Sequence, residues 1–283
     1  MKLRFWGVRG SIPTPGPSTV KYGGNTSCSE VITQQGETLI LDAGTGLFQL
    51  GRHLAKEKLV NYQANLLISH THWDHIQGFP FFDPIFFETT SITIFGPKNK
   101  DSSLRSIFAR QMANSYFPVH ITQLPSKLEF IGLREESFQL NSLTISTKKL
   151  RHPGGVLSYK IVEGNSTLIY ATDNELPWEG DISQGLVLDP YITSVIDYIQ
   201  GADLLIYDCQ YRDEEYPHKR DWGHSSVSAI LQVARDAHVK RLVFFHHDPH
   251  RTDEGIEQIL RETSEKDLGV EIIAAREQMV LDV

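Results

Sequence analysis

His70-Thr71-His72-Trp73-Asp74-His75 sets three imidazoles and a carboxylate within six residues, directly after the apolar segment Ala64-Asn65-Leu66-Leu67-Ile68-Ser69. That segment, bounded by polar residues, reads as a buried strand. The ligand-type side chains therefore stand where a strand gives way to a loop. A strand end holds several side chains in fixed geometry, as a metal site requires. His70 and His72 are two apart and point the same way in extended backbone, so they can share one ion. Asp74 and His75 are adjacent and offset, and can serve a second. Imidazole and carboxylate suit zinc or a similar borderline divalent ion. Paired metals about 3.5–4 Å apart are a common device for hydrolysing phosphodiesters and related bonds. A histidine-rich surface loop or tag remnant is the plainer alternative, but a tag lies at a terminus and lacks the aspartate.

The same pattern, an apolar strand followed by His or Asp, recurs further on. His152 lies in Leu150-Arg151-His152-Pro153-Gly154-Gly155, and Asp173 in Ile169-Tyr170-Ala171-Thr172-Asp173-Asn174. His246 and His247 follow Leu242-Val243-Phe244-Phe245. Each alone reads equally as a surface turn residue. Together with the first cluster they supply the further donors of a two-ion site.

The 283 residues suffice for one large α/β domain or two small ones. A net charge of −8 at pH 7 and the lack of a Lys/Arg run argue against affinity built on many nucleic-acid phosphates. A small phosphorylated substrate stays open, since metal ions bring local positive charge. Cys28 and Cys209 are far apart and form no C-x-x-C pair, which fits a reducing cytoplasm. The opening Met1-Lys2-Leu3-Arg4-Phe5-Trp6 lacks the apolar core of a signal peptide, and no run approaches a membrane span. A cytoplasmic protein with no membrane partner is expected.

Strands are expected at 3–6, 28–33 and 38–41, the last two as a hairpin around Gln35-Gly36, with a tight turn at Asp42–Gly46 and a helix over 47–56. Phe79, Phe81, Phe82, Phe86 and Phe87 read first as core, and alternatively as an apolar wall over the metal run. A helix and a Pro-containing segment at about 97–130 read as a lid or insertion. Strands follow at 143–150, 156–162, 167–171, 203–207, 241–245, 270–274 and 278–282. Helices are expected at 190–199, 224–237 and 253–265. No linker or repeat interrupts the chain, so a single domain over 1–283 is expected, with two sheets and helices outside.

The order His70, His72, Asp74, His75, His152, Asp173, His246 resembles the metal-ligand pattern of the metallo-β-lactamase superfamily. The resemblance covers nearly the whole chain, and its H-x-H-x-D-H run is far more specific for fold than for substrate. It implies an α/β, four-layer αββα sandwich: two mixed β-sheets flanked by helices, with the metals at one edge. It implies that His70, His72 and His152 bind one divalent ion, that Asp74, His75 and His246 bind the other, and that Asp173 bridges them. The ions are expected to be zinc, with manganese or iron(II) as alternatives. Leu242 to Pro249 looks like the strand–His–turn of the tRNase Z branch, which favours His246 over His247 as ligand.

Gly223-His224-Ser225-Ser226 resembles the glycine–histidine–serine/threonine element of the tRNase Z-like phosphodiesterases, and Leu204-Leu205-Ile206-Tyr207-Asp208-Cys209 the strand whose acidic end supports that histidine. His224, held by Asp208, would donate a proton to a leaving alkoxide; the plainer role is a residue at a helix start. Phe5 to Pro13 and Tyr22 to Ser27 look like an elaborated glycine-rich opening of the same branch, whose backbone N–H groups can face a phosphate. Asn25, Thr26 and Ser27 either support the metal loop or simply pack there. tRNase Z carries a long arm between the third-motif histidine and the bridging aspartate, and His152 and Asp173 are too close for one. The resemblance thus points to a di-metal phosphodiesterase for cyclic nucleotides or other small phosphodiesters, acting through a metal-bound hydroxide that Asp74 helps to orient. Its competitors are a carboxyl-ester, thioester or lactone hydrolase, a tRNA 3′-processing endonuclease and a non-catalytic metal binder. tRNA is disfavoured as a partner, and a homodimer is compatible with the chain.

Overall fold

The computed structural model describes residues 1–56, 61–176, 189–264 and 269–283. Their packing forms two compact units. One comprises Met1–Pro15, Gly23–Arg134 and Arg276–Asp282; the other comprises Gly16–Tyr22, Glu135–Ala275 and Val283. The segments interleave along the chain, which accounts for the absence of any linker in the sequence.

The first unit holds β1 (Lys2–Gly7), β2 (Cys28–Ile32), β3 (Thr38–Leu41), β4 (Gln63–Leu67), β5 (Ser91–Pro97), β6 (Lys127–Leu133) and the C-terminal β14 (Val280–Asp282). They form one mixed sheet in the order β14-β1-β2-β3-β4-β5-β6. Antiparallel pairing runs from β14 to β3 and parallel pairing from β3 to β6. Parallel neighbours need crossovers. α1 (Gly46–Lys56) makes the first, burying Leu47, Leu50 and Leu54 at helical spacing. α3 (Leu104–Gln111), capped by the Ser103 side chain, lies between β5 and β6 and buries Phe108 edge-on to Phe79 at 4.8 Å.

Two expectations gain detail here. The segment at about 97–130, read as a lid or insertion, carries α3 and then enters the sheet as β6, which pairs with β5 over seven residues. Lys127 and Glu129 in that strand give it the polar look of an edge, which hid it in the sequence. The aromatic run is also split. Phe79 and Phe82 are buried, whereas Phe81, Phe86 and Phe87 are exposed.

The second unit holds β7 (Ser137–Leu140), β8 (Leu143–Leu150), β9 (Val156–Glu163), β10 (Ser166–Ala171), β11 (Leu204–Asp208), β12 (Arg241–Phe245) and β13 (Glu271–Ala274). The order β13-β12-β11-β10-β9-β8-β7 is antiparallel from β7 to β10 and parallel from β10 to β13. The three parallel crossovers carry α4 (Pro190–Ile199), α5 (Val227–Asp236) and α6 (Asp253–Ser264). Val195, Ile199, Ile230, Val233 and Ile259 pack on Leu205, Tyr207 and Leu242 in one apolar cluster. α5 begins at Val227, not at His224 as the sequence suggested; residue 265 of the expected last helix lies outside the described residues.

Strand direction then places the site residues. β8, β10, β11 and β12 all run the same way, because β9 reverses twice between β8 and β10. Their carboxyl ends share one sheet edge, and His152, Asp173, Asp208 and His246 sit at those ends. In the first unit β1, β3 and β4 are likewise co-directional, so the loop after Gly7, Asp42 and the histidine run share an edge. Carboxyl ends of such strands are where open α/β sheets place ligands. Among the described residues no helix is long and apolar enough to cross a membrane.

Candidate metal centre

In the first unit, α2 (Trp73–Ile76) begins just beyond His72 and turns Asp74 and His75 inward. The His70 ring lies 4.5 Å from that of His72 and 4.2 Å from that of His75, centroid to centroid. The organising group is one the sequence reading took only as part of a turn: the buried Asp42, at the end of β3. Its carboxylate accepts from Ser69 N at 2.7 Å and Ser69 Oγ at 2.8 Å, and from His75 Nδ1 at 2.7 Å. The glycine-rich loop contributes Ser11 N, which donates to Asp74 Oδ2 at 2.7 Å.

In the second unit, His152 Nδ1 donates to the carbonyl of Gly223 at 2.9 Å, and His246 Nδ1 meets Gln210 Oε1 at 2.9 Å. His224 Nδ1 meets Asp208 Oδ2 at 2.7 Å, with both side chains buried. The His224 ring stacks on that of His246 at 5.1 Å and lies 5.2 Å from that of His152. His152, Asp173 and His224 form one cluster of metal-type donors, and Asp208, His224 and His246 another. His246 Nε2 is 3.3 Å from Asp173 Oδ1, whereas His247 turns away and its Nε2 lies 2.9 Å from the carbonyl of Ala275.

One rule covers these histidines. A carbonyl or carboxylate only accepts, so His75, His152 and His224 carry their proton on Nδ1, as does His246 against the amide oxygen of Gln210. In the neutral imidazole the lone pair is then on Nε2. Those lone pairs face carboxylate oxygens: His75 Nε2 to Asp74 Oδ2 at 3.2 Å, His246 Nε2 to Asp173 Oδ1 at 3.3 Å, His152 Nε2 to Asp173 Oδ2 at 3.7 Å. Two electron-rich atoms at such range repel unless a cation, a proton or a metal, lies beside them. Histidines oriented by a second acceptor, with Nε2 turned toward carboxylates, are the donor set a divalent transition ion takes. The residues fit such a group.

The backbone at these positions is unusual. Asp42, Asp173 and His246 all have φ between 53° and 60°, a region side-chain-bearing residues seldom adopt and one that gathers at functional sites. Gly223 has φ +90°, and a Cβ there would lie 2.2 Å from His152 Nδ1. Only glycine lets its carbonyl hold that ring. Glu175 anchors the same loop, accepting from Gly223 N at 2.8 Å, Asp221 N at 2.9 Å and Tyr216 Oη at 2.8 Å. Ser225 ties it from the other side, donating to the Asn174 carbonyl and accepting from Leu176 N. Sequence reasoning missed Asp42, Gln210 and Glu175. Asp42 alone left a trace, since it too follows an apolar strand.

Residues 37–247 match the family model described as a β-lactamase superfamily domain. Ribonuclease Z of Bacillus mycoides (strain KBAB4) is 22% identical in an alignment of 306 positions covering 94% of each chain. Among solved structures, the metallo-β-lactamase fold protein YhfI from Bacillus subtilis superposes with a TM-score of 0.68 at 18% identity, covering 99% of this chain and 98% of that one. A diphosphatase from the PhnP family gives a TM-score of 0.66 at 18% identity, covering 99% and 96%.

Proposed function

The chain belongs to the β-lactamase superfamily and has the metallo-β-lactamase fold, and from that premise we propose that it is a di-metal phosphodiesterase acting on cyclic nucleotides or other small phosphodiesters. The metal ligands in this reading are His70, His72 and His152 for one ion, Asp74, His75 and His246 for the other, with Asp173 shared; zinc is the favoured ion. Such ions, when bound, supply Lewis acidity and make water a nucleophile near neutral pH.

The protein's own residues account for the rest. The observation that carries the reading is the His224–Asp208 pair. Asp208 accepts a hydrogen bond from the Nδ1–H of His224 and stabilises the imidazolium, so Nε2 can hold a proton and release it to a leaving alkoxide. The stacked ring of His246 and the ring of His152 place that proton beside the proposed ligands. A phosphodiester needs such a donor, because its alkoxide leaves poorly without a proton. Ser11 N and the loop around it hold Asp74 in a fixed orientation.

Similarity to ribonuclease Z over most of both chains favours tRNA 3′-end cleavage as a second reading. Against it, the residues between His152 and Asp173 are taken up by the β9–β10 hairpin, whose strands pair from Glu163 and Ser166 onward, so no arm extends there. Metal-loaded protein tested on cyclic mononucleotides, cyclic dinucleotides, bis-nitrophenyl phosphate, a tRNA precursor, an ester, a lactone and a β-lactam decides between these. Turnover of the cyclic phosphodiesters above the rest is expected. Preference for the tRNA precursor or for the carboxyl substrates overturns the reading.

A further inference from the structure

We propose that a cavity in the first unit, beside the histidine run, receives the nucleobase of the substrate. This rests on the phosphodiesterase reading above and names the part of the substrate that is recognised. The cavity measures about 400 Å³, within the range of small-molecule sites. Thr71 and Trp73 line it, and these residues alternate in sequence with His70, His72 and Asp74. The cavity therefore adjoins the segment that carries the histidine run, one residue along the chain from its ligand-type side chains.

The walls suit a flat aromatic ring. Trp73, Phe81, Tyr116 and Phe117 line the cavity, and Phe81 meets Phe117 edge-on at 5.2 Å. Trp73 is 80% exposed and Tyr116 81% exposed, a large aromatic surface that a soluble chain seldom leaves in water without use. Aromatic faces accept any base by stacking. Two polar groups complete the site. Gln111 lines the cavity, and its amide nitrogen is buried without a hydrogen bond among the described residues. A buried donor left unmet is costly, and a turn of the Gln111 side chain toward the cavity would give it a ring nitrogen or carbonyl of a base as acceptor. Arg110 donates to the hydroxyls of Ser102 and Ser106, so its charge is matched by no carboxylate among the described residues and complements an anionic phosphodiester.

The test compares adenosine 3′,5′-cyclic phosphate with base-free ribose 3′,5′-cyclic phosphate, using metal-loaded wild type and the variants Tyr116→Ala, Phe117→Ala and Gln111→Leu. Tyr116 is on the surface, so its variant folds; thermal melts check the others. Loss of a stacking wall should lower kcat/KM for the nucleotide about 5- to 150-fold, with the base-free substrate changed less than about threefold. Gln111→Leu should weaken nucleotide binding, read by titration calorimetry, while the melting temperature holds or rises, because an unmet polar group has gone. Equal losses on both substrates overturn the base pocket and leave the phosphodiesterase reading intact. If neither substrate turns over, yet cyclic AMP binding is weakened by Tyr116→Ala, the pocket stands and the hydrolytic reading falls. A straight-chain alkyl phosphodiester bound as tightly as the nucleotide, or no cyclic AMP binding at all, overturns the proposal.

Discussion

Replacing Gly223 by alanine tests how the second unit holds His152. The added Cβ would sit 2.2 Å from His152 Nδ1 and 2.5 Å from Pro153 Cδ, whereas ordinary contact begins at 3.4 Å. Something must move by about 1.2 Å, the difference between 3.4 and 2.2 Å. The loop resists, because Glu175 holds Gly223 N and Asp221 N and Ser225 is bonded to the 174–176 segment. The imidazole therefore gives way and loses its bond to the Gly223 carbonyl. Forcing φ +90° on alanine costs about 1–2 kcal/mol, and the lost hydrogen bond about 1 kcal/mol more. A fall in stability of about 2–3 kcal/mol follows, visible in a urea titration. Metal–ligand distances tolerate only about 0.2 Å, so a displaced His152 should weaken metal affinity about 10- to 100-fold or more. Competition against a chromophoric chelator measures it. Unchanged metal affinity together with unchanged turnover would refute the idea that the Gly223 carbonyl positions a ligand.

The other outcomes are as direct. Asp173→Ala should lose metal and activity together, since one carboxylate would no longer neutralise two cations; a variant that keeps both ions and near wild-type turnover shows that Asp173 is no bridge. His224→Ala should keep its metal but lose about 10²–10⁴-fold in kcat on substrates with alkoxide leaving groups, and much less on nitrophenyl esters. Equal losses on both, or lost metal, would exclude the proton-donor role. Burial pushes the Glu277 carboxyl up despite hydrogen bonds from Asn25 N and Nδ2. A carboxyl raised on folding stabilises the protein below its unfolded pKa, and that increment is lost as pH rises through the folded value. The melting temperature of Glu277→Gln, relative to wild type, should therefore climb as pH rises above the ordinary Glu value of about 4.3; a flat difference would contradict this.

The legible part of this fold is the part written in local apolar runs. β4 before His70, β10 before Asp173 and β12 before His246 announce themselves by Leu, Ile, Val and Phe followed by a polar stop. β6 and β7 do not, because charged and polar residues alternate along them as edge strands do. The pairing of β14 with β1 joins opposite ends of the chain and has no local signature. Candidate ligands stood out because their chemistry is rare at strand ends. The acceptors behind them did not. Gln210 lies 36 residues from His246 and has no side-chain type that singles it out, and Asp42, though it follows an apolar strand, lies 33 residues from His75 with nothing local to pair the two. His224 lies outside α5: Ser226 is the N-cap residue, and the histidine stays in the Glu175-anchored loop.

The central claim is metal-dependent hydrolysis of a cyclic phosphodiester, and its most direct measurement is the rate of cyclic nucleotide hydrolysis by chelator-stripped protein as zinc or manganese is added back. The account predicts negligible turnover without metal and a rise that saturates near two equivalents per chain. Full turnover without metal, or none at two bound equivalents while a carboxyl ester is hydrolysed, would contradict it.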